Sequence, residues 1–206
     1  MLYIVGCSYS IDCYWPKFLE IDFVNYSEPG AGNQYIYTVV NQLELKPGDK
    51  VIVQFSEFER IDLILDSDSA FNSLLNNVPS IRRRDLQDCV AWCTGGPRGA
   101  WNNNSYGKKY LASLMREYYS NHSQKQNSFA YVTATSYLLS EAGVYNVLFL
   151  TKDQFLKDKF PTQFPYPAMA PWAQENNYLD DDNFHLNTQG NKLYYEKFIK
   201  LHVQEV

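Results

Sequence analysis

The sequence predicts an α/β protein in which a central, mostly parallel sheet lies between helices, in three layers. Three observations carry this. Leu2–Val5 is a short apolar run that stops at Gly6, Val51–Phe55 is nearly continuous in its apolar character, and Tyr145–Leu150 is a third such run. Runs without polar alternation suit strands buried on both faces, and helical periodicity between them supplies the crossovers a parallel sheet requires.

The connecting elements follow in chain order. Ile11 to Leu19 predicts a short helix broken at Trp15-Pro16, because proline suits only a helix's first turn. Ile21–Asn25 alternates briefly and reads as the second strand. From Gln34 to Leu45 the residues Ile36, Val39, Val40 and Leu43 recur three and four apart, marking one helix face, and Lys46-Pro-Gly-Asp49 closes it as a turn. Residues 62–110 differ in texture. They hold Ser/Asn/Asp clusters, the basic run Arg82-Arg83-Arg84, the glycine-rich 95–99 and the pair Trp92 and Trp101, with no long helical or strand period. They read as an insertion beside the sheet edge, a cap or specificity loop within a single domain spanning residues 1–206. Helical spacing resumes over 109–119 and 128–142, with Gly143 as a C-terminal cap. Pro161, Pro165, Pro167 and Pro171 make the stretch before Tyr178 mostly loop, apart from a short helix over 152–159. Gly190–Val203 closes the chain as an amphipathic helix.

Composition narrows the classes. A chain of 206 residues with 45% hydrophobic content buries a sizeable core. Its net charge of −5 argues against a nucleic-acid surface, and the arginine run beside Asp85 and Asp88 reads as a solvated face. No apolar stretch approaches the ~20 residues of a membrane helix, and no signal peptide is visible. Cys7, Cys13, Cys89 and Cys93 follow neither a zinc nor a thioredoxin spacing and read as free thiols.

The chemistry gathers at the ends of the chain. Ser8 is delivered by the first strand to the sheet's C-terminal edge, where ligands of such sheets bind. A serine hydroxyl is a poor nucleophile unless an imidazole takes its proton. His185, three residues after Asp182 on a turn-rich segment, is the best placed of three histidines; His122 and His202 read as surface residues. The loop Asn25–Asn33 is rich in small residues and can present N–H groups to a developing negative oxygen. Ser56-Glu-Phe-Glu-Arg60 ends the central strand on the same edge as Ser8. Strand alternation turns Cys7 away from Ser8's side, and the run Asp180–Asp182 lacks the spaced oxygen ligands of a cation site.

Gly6-Cys-Ser8, Gly30-Ala-Gly-Asn33 and Asp182-x-x-His185 together resemble the SGNH (GDSL-type) hydrolase superfamily, at both ends of the chain but not in its middle third. The resemblance implies a flavodoxin-like α/β/α sandwich and ester hydrolysis with no metal or organic cofactor. Ser8 is then the nucleophile, His185 the base and Asp182 its orienting carboxylate. The oxyanion donors are the N–H of Ser8 and of a second-block glycine, taken as Gly32 because Ala31-Gly32-Asn33 best matches the small-Gly-polar core of that block, with Gly30 as the alternative. Ser56 falls nearest the third-block asparagine. The expected substrate is an ester, an O-acetylated carbohydrate given the tryptophans, with lipid esters open. Two departures stand out. Cys7 replaces the aspartate of Gly-Asp-Ser, and Gln54–Glu59 replaces Gly-x-Asn-Asp, which admits an alternative in which the fold is kept for binding alone. The chain also looks like phage-encoded members of the superfamily, which implies a cytoplasmic or virion-associated location. The sequence sets no oligomeric state.

Overall fold

A computed structural model describes residues 1–76, 82–93, 121–182 and 185–204. The glycine run 95–99, Trp101 and the helix expected over 109–119 lie outside the described residues. Four parallel strands form the central sheet in the order Phe23–Asn25 (β2), Leu2–Val5 (β1), Lys50–Phe55 (β3) and Tyr145–Leu150 (β7). Ile4 stands beside both Asn25 and Ile52, and Phe55 beside Leu150, so the strands end at a common edge. Val51 to Phe55 are all buried, as their uninterrupted apolar run requires of a central strand.

Helices flank this sheet, giving the α/β/α architecture. Asn33–Gln42 (α1) crosses from β2 to β3 and buries Tyr35, Ile36, Val39 and Val40, one stripe at three- and four-residue spacing. It packs on the long helix Asn121–Glu141 (α3), where the rings of Tyr37 and Tyr131 lie 5.7 Å apart. Elsewhere Met169–Glu175 (α5) meets Thr188–Tyr194 (α6) through Trp172 and Tyr194, edge to face at 5.2 Å, and Tyr194 also packs on Phe149 of β7. A single π-helical turn, Tyr195–Ile199, joins α6 to Lys200–Gln204 (α7). Among the described residues no helix is long and apolar enough to cross a membrane.

Several expectations are corrected. Residues 11–19 form no α-helix; two 3-10 turns, Ser8–Ser10 and Trp15–Phe18, carry the chain instead, the second beginning at Trp15-Pro16 because proline needs no donor there. Gln154–Lys159 (α4) is the short helix expected near 152–159, but the proline-rich stretch after it also holds α5, with Pro171 tolerated in its first turn. Over 62–76 and 82–93 the chain holds regular elements. Asp62–Asp66 (β4), Arg82–Asp85 (β5) and Cys89–Cys93 (β6) pair antiparallel in the order β4-β6-β5, with Phe71–Leu75 (α2) between. His202 is not a free surface residue: its ring stands between the hydroxyls of Tyr145 and Tyr166, 2.5 and 2.6 Å away.

One carboxylate ties the second sheet to the start of α1. Asp62, fully buried at the start of β4, accepts the N–H of Gly32 at 2.8 Å and of Tyr35 at 2.7 Å, and so caps α1 from another element. Gly32, the residue before the helix, has no side chain to do this. A Cβ there would meet Asp62 Oδ2 at 2.8 Å and the Arg60 carbonyl at 2.9 Å. Burial pushes the Asp62 carboxyl up to about 6 from an ordinary 3.8, against the opposing pull of those two N–H groups and of Arg60. The folded state therefore holds this proton more tightly than the unfolded chain. The group's contribution to stability is greatest below 3.8 and declines as pH rises to about 6, by roughly 3 kcal/mol in all. Urea unfolding of wild type and Asp62→Asn across pH 4 to 7 is expected to show the variant gaining on wild type through that window. A stability difference independent of pH would contradict it.

Candidate active site

The site is assembled by loops at the C-terminal edge of the central sheet. After β1, Gly6 lies against β3, where an added Cβ would come within 3.1 Å of Gln54 Cβ. The 3-10 turn Ser8–Ser10 follows, closed by the Ser10 N–H on the Cys7 carbonyl at 3.0 Å. Beneath it lies a buried polar chain. Ser10 Oγ donates to Gln54 Oε1 and accepts Trp15 Nε1–H at 3.1 Å, and all three residues are buried. Cys7 is also buried; its thiol points to Thr151 Oγ1 at 3.3 Å, while the Thr151 hydroxyl donates to the Phe55 carbonyl. The half-exposed Ser8 is thus held by a turn that is packed and hydrogen-bonded from below.

The opposite wall is the segment before α6. A bridge between Leu179 and Leu186, with the Asp180 N–H on the His185 carbonyl and the Asn187 N–H on the Tyr178 carbonyl, holds 178–180 against 185–187. Asp182 Oδ1 accepts the His185 N–H at 2.9 Å, and its Oδ2 lies 2.6 Å from His185 Nδ1. His185 Nε2 lies 3.0 Å from Ser8 Oγ. A carboxylate only accepts, so Nδ1 carries the ring proton and Nε2 is left to accept from the serine hydroxyl. Tyr14 lies parallel to the imidazole, 11° between planes at 5.4 Å, and Tyr9 tilts against it at 5.0 Å. Both phenols are pushed up, Tyr9 strongly, chiefly by burial and then by their acidic neighbours, so they stay neutral beside the ring.

The structure thus brings Ser8, His185 and Asp182 together. It corrects the other expected residues. The Gly32 N–H is donated to Asp62, the Ser56 hydroxyl to the Ala31 carbonyl at 2.6 Å, and the Asn33 amide to the Ser56 carbonyl and Ser128 Oγ, both at 3.1 Å. Asn33 Oδ1 in turn accepts the Ser56 N–H at 2.8 Å. Together they stitch the α1 entry loop to the end of β3, to β4 and to α3, and each of these donors is committed. Gly30 fits better. It takes φ 83° in the turn Glu28-Pro-Gly-Ala31, closed by the Ala31 N–H on the Glu28 carbonyl. Glu28 N–H itself bonds the Gly6 carbonyl, which brings this turn beside the Ser8 loop.

Sequence reading missed Tyr9, Tyr14 and Asp62, whose roles depend on which loops meet; only the position of Arg60 after β3 was visible. The class that fold and geometry define is an α/β protein with a serine, histidine and aspartate in hydrogen-bonded sequence at the sheet edge. No family model and no curated protein matches the chain. Among solved structures it is similar to a member of the lipolytic protein G-D-S-L family from Veillonella parvula DSM 2008, at 11% identity and a TM-score of 0.34, with all of both chains covered.

The loop that carries His185 leans on Gly190. Asn187 caps α6 by accepting the Gly190 N–H at 2.8 Å, and a Cβ on Gly190 would come within 2.6 Å of Tyr178 Cβ and 2.9 Å of its carbonyl oxygen. Gly190→Ala is expected to destabilise the protein by ~1–3 kcal/mol in chemical denaturation, because backbone, not a flexible tip, must move. A loss below about 0.5 kcal/mol, the usual range for surface substitutions, would mean that Tyr178 gives way freely.

Proposed function

We propose that the chain is a serine hydrolase acting on ester bonds. The observation that carries this reading is the run of contacts from Ser8 Oγ to His185 Nε2 at 3.0 Å and from His185 Nδ1 to Asp182 at 2.6 Å, between residues 177 apart in sequence. In the proposed reaction His185 Nε2 takes the Ser8 proton as Oγ attacks the acyl carbon. Asp182 holds the ring in the tautomer that can accept and stabilises the imidazolium that forms. The backbone N–H groups of Ser8 and Gly30 are the proposed donors to the oxyanion. His185 then protonates the leaving alcohol, and a water molecule, deprotonated by the same nitrogen, releases the acid and restores Ser8.

The proposed substrate is a small ester, O-acetylated carbohydrate included. The half-buried Tyr14 ring beside His185 offers the flat apolar face on which a sugar packs. A second reading, a protein that binds through this fold without turnover, is favoured by one observation: the side chains of Asn33 and Ser56 and the N–H of Gly32 are all spent within the protein.

Hydrolysis of p-nitrophenyl acetate separates the two. Ser8→Ala and His185→Ala are expected to lower kcat by at least ~10³ and to abolish labelling by a fluorophosphonate, with Asp182→Asn losing up to ~10⁴ through the wrong ring tautomer. Equal rates for wild type and Ser8→Ala would favour the second reading.

A further inference from the structure

The loop after β3 holds an arginine most of whose hydrogen-bond donors are unused. Arg60 is half-buried, and its Nε is sealed from solvent with no hydrogen-bond partner. The one hydrogen bond its side chain makes among the described residues is a long one, from Nη1 to the Ala31 carbonyl at 3.4 Å. No carboxylate among the described residues forms an ion pair with it. Two carboxylates are near enough to act on it electrostatically, and both are engaged elsewhere. Glu57 stands 4.0 Å from Lys152 Nζ, and Asp62 holds the N–H groups at the start of α1. A guanidinium carries five N–H donors in a planar fork shaped for carboxylate, phosphate or another anionic oxygen. Keeping most of them unused in a partly desolvated place is costly.

Its location says what they are for. Its Nη1 reaches the Ala31 carbonyl, Ala31 closes the turn that begins at Glu28, and the Glu28 N–H bonds the carbonyl of Gly6, two residues before Ser8. Its contact to Ala31 is one residue from the Gly30 N–H. On its other side Arg60 lines a cavity of about 30 Å³ between the start of α1 and α3, bordered by Gln34, Gln124, Asn127 and Tyr131. The volume is that of a water-sized group, and polar and apolar groups share the lining.

We propose that Arg60 is the anion-binding residue of the Ser8 site, taking an anionic oxygen beside the nucleophile. The site rests on the hydrolase reading above for its chemistry, and the anion has two sources. One is the tetrahedral oxygen formed when Ser8 attacks, for which the family's asparagine has no counterpart here. The other is a carboxylate carried by the substrate.

The test compares wild type, Arg60→Gln and Arg60→Lys on p-nitrophenyl acetate and on the mono-p-nitrophenyl ester of succinate. Loss of Ser8-dependent kcat on both esters, by ~10²–10³ in Arg60→Gln, assigns the tetrahedral oxygen. Loss confined to the succinate ester, at least tenfold in kcat/KM and largely in KM, assigns the substrate carboxylate. Wild-type kinetics on both esters in a folded Arg60→Gln overturn the proposal. Should that variant fail to fold, Arg60→Lys, which keeps the charge and loses the fork, is expected to show the same pattern in part, and unchanged rates there overturn it equally. If Ser8→Ala is as active as wild type, the hydrolase reading is what fails. Sulfate then decides the anion site: a rise in the thermal midpoint of wild type that Arg60→Gln lacks supports it, and equal rises overturn it.

Discussion

Four parallel strands that stop at one edge impose the constraint from which the rest of this structure follows. Every loop leaving that edge carries backbone N–H and C=O groups that the sheet no longer satisfies, and buried groups of this kind are costly unless paired. The chain answers by letting each loop complete its neighbour. Tyr26 and Glu28 donate to Ile4 and Gly6, Thr151 donates to Phe55, and the amide of Asn33 both gives to and takes from Ser56. Asp62 extends the same accounting to the first turn of α1. This network fixes the position of Ser8, since Ser10, Gln54 and Trp15 hold its turn from inside the core.

What was legible in the sequence was whatever depends on local pattern. Buried strands announce themselves as unbroken apolar runs, so β1, β3 and β7 were placed almost to the residue, and α1 showed its buried stripe. The meeting of Ser8 with Asp182 and His185 was legible because parallel topology sends the end of β1 and the segment before the last helix to one edge. The antiparallel sheet of β4, β5 and β6 was not. Its strands are four or five residues long and carry charges such as Arg83, Arg84 and Asp66 on exposed positions, so no period had room to develop. Helix α5 was hidden for a different reason. Prolines read as loop from outside, yet Pro171 falls where a helix has no donor to lose.

The misassignment of Gly32 has the same physical root. In sequence a glycine before a helix reads as a place where backbone N–H groups stand open to an anion. Here the anion is the protein's own. Asp62 occupies that position from 30 residues away, and the lack of a side chain at Gly32 serves the close approach of Asp62 and the Arg60 carbonyl. Gly30, two residues earlier, is a glycine because its φ of 83° suits little else. One loop therefore holds two glycines for two unrelated reasons, a distinction that only the tertiary partners reveal.

The same commitments bear on how an anion would be held at Ser8. A neutral side-chain amide or hydroxyl that braces the fold has few hydrogen bonds left to give, and at this edge Gln54, Asn33 and Ser56 have each been drawn into bracing. A guanidinium differs in kind. Its attraction reaches beyond hydrogen-bond distance, amounting to ~4 kcal/mol for a unit charge 4 Å away at an effective dielectric constant near 20. It can therefore act from the rim of the site while the neutral groups remain structural. The single side-chain bond from Arg60 to Ala31 among the described residues leaves most of its fork of donors unused. An edge that has used its neutral donors to stay rigid is one where a positive charge is the natural partner for a negative oxygen.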